Sequence, residues 1–81
     1  MNEREIFSEL VKIAQEVTGG GVDFSQATLD SRFHEDFGLD SIAMIYMILA
    51  IEKRFGVRFD NKSLAASKTV RDIVIYIKAK S

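Results

Sequence analysis

From Glu3 to Thr18 the apolar residues Ile6, Phe7, Leu10, Val11, Ile13, Ala14 and Val17 recur at three- and four-residue steps, with carboxylates and Lys12 between them. That period gathers them on one face of an α-helix. Asn2 is placed to cap its start, and Glu3 and Glu5 suit the positive end of the helix dipole. Gly19, Gly20 and Gly21 end it by freeing the backbone. A second helix is predicted from about Ser41 to Phe55, with Asp40 or Ser41 as its cap and Gly56 as its stop. Met44, Met47, Ile48, Ile51 and Phe55 form one stripe of this helix, while Ile42, Ile45, Tyr46 and Leu49 form another on a different face. A small domain cannot bury a helix all round. The second stripe is therefore either a contact surface for another protein or a face covered by the preceding loop.

That loop, residues 19–40, is long for a domain of this size, so it either carries function or contains a short helix. Its apolar residues Val22, Phe24, Leu29, Phe33, Phe37 and Leu39 are expected to pin it to the core. After Gly56, Val57-Arg58-Phe59 reads as extended, and Asp60 or Asn61 can cap one turn through Leu64, Ala65 and Ala66. Thr69 with Asp72 resembles a capping box, and Val70, Ile73, Val74 and Ile77 then step as a closing helix to about Ala79. The β-branched run from Ile73 to Ile77 would also suit a strand, but nothing else in the pattern offers it a partner. The fold class is all-α: a small four-helix bundle, three main helices plus one short helix, with a long loop between the first and second.

Composition narrows the class. With 81 residues, 47% hydrophobic and 28% charged, residues 1–81 make one domain with one core. The longest apolar run, residues 42–51, is half of what a membrane span needs. The N-terminus lacks the pattern of a secretory signal, so a cytoplasmic location is expected. There is no Cys and a single His, which leaves no thiol nucleophile, no disulfide and no all-protein zinc site. The net charge of −1 hides an asymmetry. Residues 1–40 carry nine carboxylates against three cations, and residues 41–81 carry eight cations against three carboxylates. Solvated helix faces and intramolecular pairing account for this, and no nucleic-acid or membrane partner is expected, because the cations are spread over several elements.

Enzyme chemistry finds little to stand on. His34 with Ser41 and Asp36 or Asp40 could be imagined as a hydrolytic triad, but this serine opens a helix instead of sitting on a strand-to-helix elbow. Gly19-Gly20-Gly21 lacks the lysine and hydroxyl that follow in a phosphate-binding loop. What stands out is Asp36-Phe37-Gly38-Leu39-Asp40-Ser41-Ile42. Ser41 falls beside the unpaired N–H groups and positive dipole of a helix start, where a phosphoryl group on its hydroxyl is favourably held. Helix physics alone favours Asp40 and Ser41 as cap residues and nothing more.

This segment, followed by the apolar helix and Glu52-Lys53-Arg54-Phe55-Gly56-Val57, resembles the acyl carrier protein family. Gly38, Leu39, Asp40, Ser41 and Ile42 match that family's signature position for position, and the resemblance extends over the whole chain. It implies that a phosphopantetheinyl transferase, assisted by Mg²⁺, moves 4′-phosphopantetheine from coenzyme A to Ser41, with Gly38, Leu39 and Asp40 supporting the site. The missing thiol would thus be supplied from outside. The chain would be a monomeric carrier and not an enzyme, presenting acyl thioesters to loading and processing enzymes. Ile42, Ile45, Tyr46, Leu49 and Glu52 would face those partners, and Met44, Met47, Ile48, Ile51 and Phe55 would shelter the acyl chain.

The departures from the family pattern matter as well. Carriers of housekeeping fatty-acid synthesis show carboxylates on the second helix, whereas here Glu52 is the only acid on it, and Ala43 and Tyr46 stand where acids are frequent. The expectation is a specialised carrier in a fatty-acid or polyketide type of pathway, with an unmodified interaction domain as the alternative.

Overall fold

The computed structural model of the chain describes residues 1–80. Four helices follow one another: α1 (Glu3–Thr18), α2 (Ser41–Phe55), α3 (Asn61–Ala66) and α4 (Val70–Lys80). Local chemistry sets each boundary. Asn2 and Glu5 form a reciprocal capping box at the start of α1, with the Glu5 N–H donating to Asn2 Oδ1 at 2.8 Å and the Asn2 N–H to Glu5 Oε1 at 3.0 Å. Gly19 and Gly56 end α1 and α2 in the left-handed conformation, at φ of 66° and 68°. Asp60 accepts the Ser63 N–H at the start of α3. Thr69 and Asp72 exchange bonds at the start of α4, where the β-branched run is helical.

α1 packs against both α2 and α4, and the core gathers Ile6, Leu10 and Ile13 of α1, Met47, Ile48 and Ile51 of α2, and Ile73, Val74 and Ile77 of α4. The long loop contains no helix. It is a chain of turns, and Phe24, Phe33 and Leu39 are buried in the core. Phe37 packs edge-on against Phe24 and Phe33, with ring centroids 4.8 and 6.3 Å away.

The backbone of the loop is also tied to the start of α4. The Val70 N–H donates to Ser31 O at 3.0 Å, the Arg71 N–H to Leu29 O at 2.7 Å, and the Phe33 N–H to Lys68 O at 3.2 Å. Together these bonds fix the loop without a helix of its own.

The charge asymmetry resolves into ion pairs between the two halves. Arg54 of α2 meets Glu9 at 2.7 Å and Glu16 at 3.9 Å on α1, Arg71 meets Asp30 at 3.2 Å, and Lys78 meets Glu3 at 3.7 Å. All are on the surface, where each such pair contributes roughly 0–1 kcal/mol.

Candidate functional site

The loop delivers the chain to α2 through four consecutive residues with four different tasks. Gly38 sits at φ 68°, a left-handed turn that a side chain would strain. It follows a tight knot in which the Gly38 N–H donates to His34 O, and Arg32 N–H donates to Asp36 Oδ2 at 2.6 Å. Leu39 is buried in the core, and its carbonyl lies 3.0 Å from Nδ1 of the exposed His34. Asp40 is the N-cap of α2, its Oδ1 accepting the Ala43 N–H at 2.8 Å. Ser41 is the first residue of the helix, exposed, and its hydroxyl makes no hydrogen bond among the described residues. An anchored leucine and a capping aspartate therefore hold a free hydroxyl at the positive end of a 15-residue helix. An exposed hydroxyl with no competing partner fits an attachment point for a phosphoryl-linked arm.

The rest of α2 sorts by azimuth, at about 100° per residue. Met47 and Ile51 point into the core and have no exposed surface. Met44 and Ile48 lie about 60° further round and line an open groove between α2 and α3 of about 460 Å³, within the range of small-molecule sites. Ile45 and Leu49 form its outer wall, Phe59 and Leu64 close the other side, and Glu52, Ser67 and Lys68 supply polar lining. Ser41 falls in azimuth between Met44 and Ile45, on the groove side of the helix.

Of the five residues expected to shelter an acyl chain, Met44 and Ile48 line the groove, while Met47 and Ile51 belong to the core and the half-buried Phe55 packs against it. The reason is angular: positions three apart on a helix diverge by about 60°, so the single stripe divides between core and groove. The void in the core beside Met47 measures about 10 Å³, too small for an acyl chain. A larger depression of about 610 Å³ runs along α1 past Phe7 and Val11, and it includes no residue of α2.

Ile42, Ile45, Tyr46 and Leu49 are 65, 59, 61 and 56% exposed, so the loop does not cover them. Glu52 stands apart from this set. It is half-buried, and its Oε2 accepts the Phe59 N–H at 2.8 Å, tying the segment before α3 to α2. The one carboxylate of α2 is thus engaged within the chain. Phe59 and Leu64, which sequence reasoning did not assign to a site, come to the groove because the chain doubles back after Gly56. Their only sequence signal was apolar character in an extended piece and a short helix.

Residues 4–77 match the family model described as phosphopantetheine attachment site. The chain belongs to the acyl carrier protein family. It is 38% identical over 76 residues to an acyl carrier protein of Rhodococcus erythropolis, covering 94% of this chain and 81% of the relative. It is 38% identical over 79 residues to that of Thermotoga maritima, covering 98% and 95%. A meromycolate extension acyl carrier protein of Mycolicibacterium aurum is 34% identical over 77 residues, covering 95% and 77%. The family's cofactor is 4′-phosphopantetheine, and the exposed serine of this carrier fold suits its attachment.

Proposed function

We propose that the chain carries acyl intermediates as thioesters on a 4′-phosphopantetheine arm joined to Ser41 Oγ, and that it serves a specialised acyl pathway. The observation that carries this reading is the exposed Ser41 hydroxyl at the start of α2, without a hydrogen-bond partner among the described residues, in a chain whose family model is the phosphopantetheine attachment site. The arm supplies the thiol that the sequence lacks. The chain's own residues do the rest. Leu39 and Asp40 fix the start of α2 so that Ser41 is presented to the transferase, and Gly38 gives the turn that lets both act. Met44, Ile48, Phe59 and Leu64 offer an acyl chain an apolar wall on Ser41's side of the helix. Ile42, Ile45, Tyr46 and Leu49 offer partner enzymes a face that folding leaves free. No step of bond making is assigned to the carrier itself; its contribution is tethering, which raises the effective concentration of cargo at successive active sites.

The specialised role rests on α2, whose outward face carries no free carboxylate, and is in keeping with the meromycolate extension carrier among the relatives. Intact mass before and after incubation with coenzyme A, Mg²⁺ and a broad-specificity phosphopantetheinyl transferase tests the central claim. A single gain of one phosphopantetheine, absent in Ser41→Ala, is expected. No gain with several transferases would leave an unmodified interaction domain that uses the Ile45, Tyr46 and Leu49 face.

A further inference from the structure

An arm joined to Ser41 brings a charged phosphodiester to a turn that already holds carboxylates. Asp36 and Asp40 both stand on that turn, where they accept the Arg32 and Ala43 N–H groups. A further negative charge beside them calls for a cation. Two basic side chains of the loop are engaged elsewhere: Arg32 faces Glu35 at 4.0 Å, and Nδ1 of His34 lies 3.0 Å from Leu39 O.

Lys68 is the cation that the fold delivers. Its carbonyl accepts the Phe33 N–H at 3.2 Å, and the Phe33 carbonyl accepts the Leu39 N–H at 3.0 Å, so a single residue joins Lys68 to the turn that ends at Ser41. Lys68 also lines the groove between α2 and α3, together with Met44, and is the one cation among the lining residues. Its backbone is committed to the fold at both groups, since its N–H donates to Asp72 Oδ2 at 3.0 Å. Its side chain is exposed, and among the described residues no carboxylate pairs with its ammonium. Asp72 feels the Lys68 charge, but that carboxylate is already shared by the backbone N–H groups of Lys68 and Thr69.

Resting on the reading that Ser41 carries 4′-phosphopantetheine, we propose that Lys68 is a positioning residue for the arm. Its ammonium pairs with the phosphodiester at the Ser41 end of the groove and turns the first bonds of the arm toward the groove instead of toward solvent. Such a pair lies at the surface, so it is weak and screened by salt. That suits an arm which must leave the groove whenever an enzyme takes the cargo.

The test uses the holo form, made with coenzyme A, Mg²⁺ and a broad-specificity phosphopantetheinyl transferase and checked by intact mass. The readout is the transverse relaxation rate of the arm's phosphorus by NMR at low ionic strength. A phosphate held against the folded chain tumbles with it, and one swinging on a free arm relaxes more slowly. Lys68→Gln should lower the rate by about twofold, Lys68→Arg should restore it, and about 0.5 M salt should bring the unaltered chain down to the Lys68→Gln value. Lys53→Gln, which removes an equal charge near the far end of α2, should leave the rate unchanged. The salt series needs no variant, so a misfolded Lys68→Gln would still leave the proposal open to refutation. Equal rates in the unaltered chain and Lys68→Gln, or a rate indifferent to salt, overturn the role of Lys68 and leave the carrier reading intact. An equal fall in Lys68→Gln and Lys53→Gln also overturns it, by showing a diffuse field in place of a pair. Absence of any mass gain in the unaltered chain removes the carrier reading, and this proposal with it.

Discussion

α1 and α2 are nearly equal in length, 16 and 15 residues, and pack against each other, yet they treat water in opposite ways. α1 buries Ile6, Leu10, Ile13 and Ala14 and turns carboxylates and Lys12 outward. α2 buries Met47, Ile48 and Ile51, and still turns Ile42, Ile45, Tyr46 and Leu49 to solvent. Folding needs one apolar face per helix in a bundle this small, and α1 meets that need with only the half-buried Phe7 and Val11 at the edge of its face. The second face of α2 is an excess that folding does not explain. Its position, on the helix that begins at Ser41, is what makes it a docking candidate.

The comparison breaks first if the inward faces are not equivalent. Ile51→Ala on α2 and Leu10→Ala on α1 should each cost about 2–5 kcal/mol, because both side chains are fully buried and leave a cavity. Urea denaturation measures this, and a loss under about 1 kcal/mol at Ile51 would mean that α2 is held less firmly than its burial implies.

The outward faces should then diverge. Tyr46→Glu on α2 is expected to lower kcat/KM for phosphopantetheine transfer by about tenfold while changing stability by less than about 0.5 kcal/mol. Lys12→Glu on α1 should do neither. A large stability loss for Tyr46→Glu would return that residue to the fold and make the two helices alike.

How far the sequence reached follows from which forces are local. The bounds of α1 and α2 were legible because caps, periodicity and terminal glycines all lie within a few residues of the ends they set. The pinning of the loop by Phe24, Phe33 and Leu39 was legible from their apolar character. Its register against α4, where Ser31 and Leu29 accept the N–H groups of Val70 and Arg71, joins residues about forty apart that no local pattern relates. The inward task of Glu52 depends on Phe59 returning to α2 after Gly56, so a residue that looks like a surface acid closes the groove. The division of one α2 stripe between core and groove was present in the 100° step of the helix. It becomes visible only once α3 marks where the groove lies.

Helix starts offer a narrower comparison. Asn2 caps α1 with a reciprocal partner in Glu5, whereas Asp40 caps α2 alone. Asn2→Ala and Asp40→Ala should each cost about 1 kcal/mol by urea denaturation. Only Asp40→Ala should also slow modification of Ser41, since it loosens the turn that presents the hydroxyl. Equal modification rates for the two variants would show that the cap of α2 serves the helix and nothing more.

The smallest effect concerns acid, and it sets the starts of the two later helices against a helix interior. Asp60 is held below the usual carboxylate range by the N–H and hydroxyl of Ser63. Asp72, despite a desolvation that acts the other way, is held low by the N–H groups of Lys68 and Thr69. A carboxylate whose pKa is lowered on folding stabilises the folded state above its unfolded pKa, near 4, and that stability is lost as pH falls through the lower folded value. The starts of α3 and α4 should therefore loosen below about pH 4, shown by faster amide exchange at Ser63, Lys68 and Thr69. The middle of α2, where no carboxylate caps the backbone, provides the internal control. Exchange at Ser63 and Thr69 that rises no more than at Ile48, after correction for intrinsic rates, would mean that these caps do not draw on ionised carboxylates. The groove wall formed by Leu64 would then owe its position to packing alone.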